Sequence, residues 1–429
     1  MTLQQIATAV DGLVVGDPDL LVRGSAYLDT RRAVEDGLFV AVAGTRVDGH
    51  DHAGGAHAVL GSRPTSAPTV VVADPTVALG RLARAVVARR APRVLAVTGS
   101  HGKTAVKDFL AAILPGATAT HGNQNNELGV ALTALRLPAR GGDLVVEMGA
   151  RAVGHLTYLA GITPPDLSAV TALGHSHLER FGGPHLLAAA KRELPQATSG
   201  VCVLNADDPR VLAMAAHTWA RVVTFGTRGD VGWSAVTLDE VGRASFLLHP
   251  GDTPVAVRLG VVGAHQVANA ACAAALALAA GTPVEAVVAG LERTGAGERR
   301  LQPRRRDDGG LLLDDCYNAA PASMAAALRA LAAVGGSGHR VAVLGAMREL
   351  GEASGRGHRM VGALARRLGV DVVGVGPGAQ DLAAGGTWVA DPGAALEVLR
   401  ERLSPDDVVL VKASRTERLE RVADALLPR

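Results

Sequence analysis

The chain has 429 residues, 48% apolar and 20% charged, and its 43 Lys and Arg against 41 Asp and Glu leave a formal net charge of +2. That length exceeds what one hydrophobic core serves and predicts two or three domains, while the near-even charge balance gives no electrostatic case for nucleic acid as a partner. Aromatic residues are only 3%, so the cores must be built from Ala, Val and Leu. The N-terminus, Met1-Thr2-Leu3-Gln4-Gln5, has neither a basic n-region nor an apolar h-region, so no secretion signal is expected. The longest apolar helical run, Val267 to Ala280, is Ala-rich and too short to span a bilayer, so no membrane partner is expected either. Cys202, Cys272 and Cys316 are scattered without metal or disulfide spacing, and a cytoplasmic location is expected.

A first block runs over residues 1–91. Its predicted strands are Gly37 to Val42 and Thr69 to Ala73, with the turn-rich Asp48-Gly49-His50 between them and a helix from Ala78 to Arg90. Ala91-Pro92 marks a boundary. The second block, 92–294, opens on the most telling stretch of the sequence. An apolar strand, Leu95-Ala96-Val97, breaks into Thr98-Gly99-Ser100-His101-Gly102-Lys103-Thr104. Glycines let backbone N–H groups close on phosphate oxygens, and the following helix N-terminus adds a favourable dipole. In such a loop Lys103 neutralises the β- and γ-phosphates of ATP and the Thr104 hydroxyl binds Mg²⁺.

Further strands are predicted at Asp143 to Met148, Leu167 to Thr171 and Gly200 to Leu204, with helical patterns between them, which reads as a parallel sheet with crossover helices. Glu147, at the C-terminal end of a strand, points into the crevice where ligands of such sheets bind and is a candidate Mg²⁺ ligand. The loop Thr120 to Gly129 is unusually polar, and Asn126 either caps the next helix or contacts substrate. Gly174-His175-Ser176-His177-Leu178-Glu179 reads equally as a metal cluster or a polar loop. Lys191, taken alone on its helix, reads as a solvated surface lysine. The block closes after a helix over Val284 to Leu291, near Thr294-Gly295-Ala296-Gly297.

The third block, 295–429, alternates again. Arg304-Arg305-Arg306 reads as a solvated loop. Strands are predicted at Leu311 to Asp314, Arg340 to Leu344, Val370 to Gly374 and Val408 to Val411, with helices near Met324 to Val334, His358 to Leu368, Pro392 to Leu403 and Glu417 to Leu427. Asp314-Asp315-Cys316-Tyr317-Asn318, at a strand end, could bond a ribose or phosphates from across a cleft. Gly374-Val375-Gly376-Pro377-Gly378 lacks the G-x-G-x-x-G spacing and is not read as a dinucleotide loop.

Taken in order, these segments resemble the Mur ligase family over essentially the whole chain, and most closely its members that add D-alanyl-D-alanine to UDP-N-acetylmuramoyl-tripeptide. The match is carried by Asp29-Thr30-Arg31-Arg32, Asp48-Gly49-His50, T-G-S-H-G-K-T, Gly122 to Gly129, Glu147-Met148-Gly149, His177-Leu178-Glu179 and Ala190-Lys191-Arg192-Glu193. It continues through Leu204 to Asp208, Gly263 to Asn269, Arg300-Leu301-Gln302, Asp314 to Pro321, Leu344 to Gly351 and Val411 to Arg415. The resemblance implies an α/β protein of three domains: a UDP-sugar-binding unit (1–91), a central phosphate-loop parallel-sheet unit (92–294) and a Rossmann-like unit that binds the incoming amine (295–429).

It also implies the site. ATP is held by Gly99, Ser100, His101, Gly102, Lys103 and Thr104, with His265, Asn269, Arg300 and Asp315 contacting the nucleotide. Two Mg²⁺ ions are held by Thr104, Glu147, His177 and Lys191, the last as a carbamate. The residues that act in catalysis are Lys103, Lys191 and His177. The UDP-muramoyl peptide is bound by Asp29, Thr30, Arg31, Asp48, Gly49, His50, Asn123, Asn125 and Asn126. A monomer is expected. His101, Gln266, Cys316, Ala320, Ala346 and Pro184-His185 depart from the family pattern. The changes at Cys316, Ala320 and Ala346 fall where the amine should bind, so D-alanyl-D-alanine and a different amine both stay open as the second substrate.

Overall fold

The structure is a computed structural model that describes residues 1–44, 47–174, 181–348, 350–383 and 385–428. A first sheet has the order β1-β5-β4-β3-β2, with β1 Leu13–Val15, β2 Ala26–Tyr27, β3 Leu38–Val40, β4 Ala58–Gly61 and β5 Thr69–Val71. β2 to β5 run parallel and β1 joins the edge antiparallel. Helix Leu3–Val10, capped by the Thr2 side chain, turns Leu3, Ile6, Ala7 and Val10 inward at helical spacing and packs with helix Pro75–Arg90.

The second sheet is wholly parallel in the order β11-β10-β9-β6-β8-β7: β6 Arg93–Thr98, β7 Thr118–Ala119, β8 Asp143–Glu147, β9 Leu167–Val170, β10 Val201–Asn205 and β11 Arg221–Phe225. Its inner strands are short runs of Val, Leu and Ala, because helices cover both faces and neither needs a polar side. The Ala-rich helix Gln266–Ala279 is buried along most of its length, and its small side chains let it lie close to helix Lys103–Ile113.

One element of this region departs from the parallel reading. β12 Gly232–Leu238, β13 Arg243–His249 and β14 Val255–Val262 form a separate antiparallel meander. Its outer strands leave residues in water, so the hydrophobic run that marks a buried strand is missing from the sequence.

The last sheet has the order β15-β16-β20-β17-β18-β19, with β15 Gln302–Arg305, β16 Leu311–Asp315, β17 Arg340–Gly345, β18 Asp371–Val375, β19 Thr387–Val389 and β20 Val408–Lys412. Only the edge strand β15 is antiparallel. Here the expectation of a solvated Arg304-Arg305-Arg306 loop is corrected. Arg304 and Arg305 belong to β15, and Arg306 is buried. Its guanidinium donates to both Asp308 oxygens and to the carbonyls of Ser404 and Asp407, so each of its three nitrogens finds an acceptor. No helix among the described residues is long and apolar enough to cross a membrane.

Candidate active site

The central sheet fixes where chemistry can happen. β6 lies between β8 and β9, so the chain leaves β6 toward one side and later returns on the other, and the crevice outside the carboxyl ends of these strands is where such sheets bind ligands. Register puts Val97 beside Glu147 and Thr98 beside Val170, so the loop after Thr98, the Glu147 carboxylate and the segment from Thr171 share one rim.

The loop needs its glycines. Gly99 and Gly102 adopt φ of +146° and +83°, and a Cβ there would sit 1.9 Å from Thr171 Oγ1 and 2.5 Å from Asn269 Oδ1 respectively. The Lys103 ammonium donates to the carbonyls of Gly99 at 2.9 Å and Ser100 at 3.3 Å. Burial lowers its pKa; Glu147 opposes the shift and Arg300 adds to it. Ser100 Oγ is buried without a hydrogen-bond partner among the described residues.

Glu147 is 1% exposed. Thr104 Oγ1 donates to its Oε2 at 2.8 Å and Asn125 Nδ2 to its Oε1 at 2.7 Å. Asn125, expected to touch substrate, therefore also orients this carboxylate, while Asn126 caps helix Glu127–Leu135 by accepting from Gly129 N–H at 3.0 Å. Lys191 is corrected from the single-residue reading of a surface lysine: it is 3% exposed, on helix Pro184–Ala197. Its Nζ donates to Thr98 Oγ1 at 3.3 Å. Burial, and then the charge of Lys103, hold its pKa well below the ordinary lysine value, with Glu147 and Glu193 opposing.

These groups line a cavity of about 890 Å³ between the second and last sheets. His265 and Asn269 stand on its wall, the latter donating to Gln266 Oε1 at 2.8 Å. Burial, then the charges of Lys412 and His101, bring His265 down to about 4, so it is neutral at physiological pH. His101 is also lowered, by burial and by Lys103. From the opposite side, Arg300 lies over the Tyr317 ring at 4.1 Å and Asp315 pairs with buried Lys412 at 2.7 Å. Burial raises the Asp315 pKa although Lys412 opposes it.

The remaining expected residues lie elsewhere. Asp29, Thr30 and Arg31 follow β2 and Asp48, Gly49 and His50 follow β3, at the same carboxyl edge of the first sheet but not on the wall of this cavity. Asp29 caps its own turn and pairs with Arg31 at 2.7 Å. Asp48 holds His50 Nδ1 at 2.6 Å, and His50 Nε2 accepts from Ser62 N–H at 2.8 Å. His50 is thus a buried staple between two loops of that edge. Asn123 does line the large cavity. His177 falls outside the described residues, and among the described residues no three His, Cys, Asp or Glu side chains converge as a metal cluster.

Sequence reasoning did not single out Arg151, His155, Arg348 or Lys412, all on the cavity wall. For Arg348 and Lys412 a signal existed, since both sit at the carboxyl ends of strands of a parallel sheet. Arg348 and Ser414 close the same rim: the Arg348 N–H donates to Ser414 Oγ at 2.8 Å, and its guanidinium pairs with nearly buried Glu417.

The comparisons agree with one another. The family description "Mur ligase middle domain" matches residues 97–277, and "Mur ligase, glutamate ligase domain" matches residues 299–415. The curated UDP-N-acetylmuramoyl-tripeptide--D-alanyl-D-alanine ligase of Mycobacterium tuberculosis is 42% identical over 497 aligned positions, taking in 100% of this chain and 98% of the relative. The enzyme of the same name from Escherichia coli is 36% identical, over 99% of this chain and 98% of its own. The crystal structure of MurF from Acinetobacter baumannii matches with a TM-score of 0.89 at 31% identity, covering 99% of this chain and 98% of that one. The MurF ligase of Thermotoga maritima in complex with ADP matches with a TM-score of 0.83 at 30% identity, covering 95% and 98%. With a phosphate-binding loop at the crevice of its central sheet and relatives alike from end to end, this chain belongs to the Mur ligase family.

Proposed function

We propose that this protein is the ATP-dependent ligase that joins D-alanyl-D-alanine to UDP-N-acetylmuramoyl-tripeptide in peptidoglycan precursor synthesis. The observation that carries the reading is the convergence of the Gly99–Thr104 loop, Glu147 and Lys191 on one cavity, within a chain 42% identical to a curated ligase of that name over its full length. A free carboxylate does not acylate an amine, because its leaving group would be oxide. Transfer of the γ-phosphoryl group of ATP to the peptide carboxylate gives an acyl phosphate and ADP. Attack by the dipeptide amine on that carbonyl then expels phosphate and leaves the amide.

In this reading the loop amides and Lys103 bind the β- and γ-phosphates, and Arg300 meets the same phosphates from the last sheet. Burying the acyl phosphate between the sheets keeps water from it. Mg²⁺ fits the donor set. Glu147 is a buried carboxylate with no Lys or Arg within ion-pair distance among the described residues, and the Thr104 hydroxyl is already turned toward it. Thr104 and Glu147 would hold one ion and His177 with carbamylated Lys191 a second; when bound, the metal supplies positive charge to the phosphoryl group. Lys191 suits carbamylation because burial beside Lys103 favours the neutral amine that adds to CO₂.

The UDP-sugar end of the UDP-muramoyl peptide is assigned to the carboxyl edge of the first sheet, where Asp29, Thr30, Arg31, Asp48, Gly49 and His50 lie, with Asn123, Asn125 and Asn126 binding the same substrate nearer the phosphates. The division into units 1–91, 92–294 and 295–429 is supported by the four sheets falling within those bounds. We read the protein as a monomer acting in the cytoplasm, where its three buried free cysteines would stay reduced. Of the three departures that left the amine open, Cys316 and Ala346 are buried and off the cavity wall, and Ala320 alone lines it. That favours D-alanyl-D-alanine over a different amine.

The reading is tested by mass spectrometry of products from ATP, Mg²⁺, bicarbonate, UDP-N-acetylmuramoyl-tripeptide and either D-alanyl-D-alanine or a panel of other amines. A pentapeptide product with ADP supports it, and product with another amine alone overturns the substrate assignment. The dipeptide carboxylate needs a cation on the far wall, and Arg348, whose Nε pairs with Glu417 and whose backbone N–H donates to Ser414, lines that wall. Arg348→Ala is expected to raise KM for the dipeptide by about 10- to 100-fold, with KM for ATP unchanged. Initial rates over both substrates check this.

A further inference from the structure

Arg300 reaches the cavity from an unusual backbone. It is the middle residue of an arch in which both neighbours are left-handed: Arg299 has φ of +54° and Leu301 φ of +48°. Neither is glycine, and residues other than glycine are held there only where surrounding contacts over-determine them, which is most often at functional sites. Here they are over-determined. The Leu301 N–H donates to Asp315 Oδ1 at 3.2 Å, and the Tyr317 N–H donates to the Arg299 carbonyl at 3.2 Å. The Arg299 guanidinium forks, giving one nitrogen to buried Asp314 at 3.0 Å and another to both oxygens of Asp424 at 2.9 Å. Asp315 is itself fixed by Lys412 at 2.7 Å.

Each of these anchors belongs to the last sheet, to the turn that follows its strand β16 or to the C-terminal helix Glu420–Ala425, whereas the loop that carries Lys103 belongs to the central sheet. Leu301 is buried in the core of the last sheet, so the arch is fastened on both sides of Arg300. Arg300 therefore moves with the last sheet although its side chain serves a cavity shared with the central one. Its guanidinium lies over the Tyr317 ring, and the Tyr317 backbone is itself bonded to Arg299, so this contact is tied to the same arch.

We propose that Arg299 is a positioning residue: by bridging Asp314 and Asp424 it holds the left-handed arch that aims Arg300 across the cavity at the phosphates facing Lys103. The proposal rests on the ligase reading, since it assumes that phosphates lie there. Arg299 touches no substrate and acts only through Arg300.

A double-mutant cycle in the full-length enzyme decides it. Arg300→Ala is expected to lower kcat about 100-fold and Arg299→Ala about 10- to 30-fold, with KM for the dipeptide unchanged. The double variant is expected to be no slower than Arg300→Ala alone, because once Arg300 is gone its aim no longer matters. Losses that multiply in the double variant overturn the proposal and leave Arg299 a merely structural residue. If Arg299→Ala does not fold, Asp424→Asn takes its place: Asp424 is half exposed, and the change removes its charge and one of the two oxygens that accept from Arg299. It should cost about threefold in kcat, a loss that vanishes in the Arg300→Ala background. A wild-type enzyme that binds ATP but forms no product overturns the ligase reading alone. The same cycle read on the Kd for ATP then judges the arch by the same criterion, additivity against it and non-additivity for it.

Discussion

Lys191→Ala is expected to lower turnover by about three orders of magnitude or more while leaving ATP affinity within about threefold of wild type. Among the described residues Lys191 makes no hydrogen bond to the glycine-rich loop's phosphate-binding amides, and its Nζ donates to Thr98 Oγ1. What it contributes is therefore not nucleotide binding. A lysine sealed from water beside a second lysine is an expensive arrangement for a structural role, and replacement by a residue of similar shape should be welcome to the fold. Lys191→Met should accordingly melt at or above the wild-type temperature while remaining inactive. The mechanism behind the loss is checked separately. With carbon-13 bicarbonate the wild-type protein should show a carbamate carbon by NMR that Lys191→Met lacks. A fully active Lys191→Ala variant would remove the carbamate from the mechanism altogether.

Lys191 also shows what the sequence could and could not carry. Its helix has charged neighbours, Arg192 and Glu193, and nothing in that local pattern distinguishes a buried lysine from a solvated one. Burial there is created by the sheet beneath, which no spacing along the helix reports. The family resemblance changed the expectation, and local chemistry did not. The parallel strands were legible because burial on both faces forces unbroken runs of Val, Leu and Ala, as in β6, β8 and β17. The meander β12–β14 was not, because strands with a wet face and short turns lose that run. Arg306 failed for a similar reason. A triple-arginine stretch is normally solvated, and only the tertiary arrangement brings the carbonyls of Ser404 and Asp407 to the Arg306 guanidinium. The glycine-rich loop was the most legible feature, since backbone shape dictates its residues directly. The staple role of His50 was invisible, as it depends on Ser62, which meets it only once the first sheet is assembled.

Glu147→Gln is expected to reduce turnover by about 100- to 1,000-fold without lowering the melting temperature. The side chain keeps its shape, so packing at the end of β8 is preserved. The hydrogen bonds are not, because both carboxylate oxygens accept: Oε2 from the Thr104 hydroxyl and Oε1 from the Asn125 amide. A glutamine offers one carbonyl and one NH₂ group. With its oxygen toward Asn125 the arrangement survives, because the Thr104 hydroxyl can rotate and accept from the new NH₂. That rotation turns the Thr104 proton away and leaves neither residue with a free negative charge. The fold loses no buried hydrogen bond and no longer carries the desolvation cost of a carboxylate 1% exposed, which offsets the lost attraction to Lys103 and Lys191 and is the reason to expect an unchanged melting temperature. In the proposed reading activity needs that charge to hold a divalent cation, so the variant should demand far more Mg²⁺ for any residual turnover, while its affinity for metal-free ATP stays close to wild type. Titrations of rate against Mg²⁺, set beside calorimetry with ATP in EDTA, separate the two effects. A variant that melts lower and keeps the wild-type Mg²⁺ dependence would make Glu147 a brace for Thr104 and Asn125, and its charge would then play no part in the chemistry.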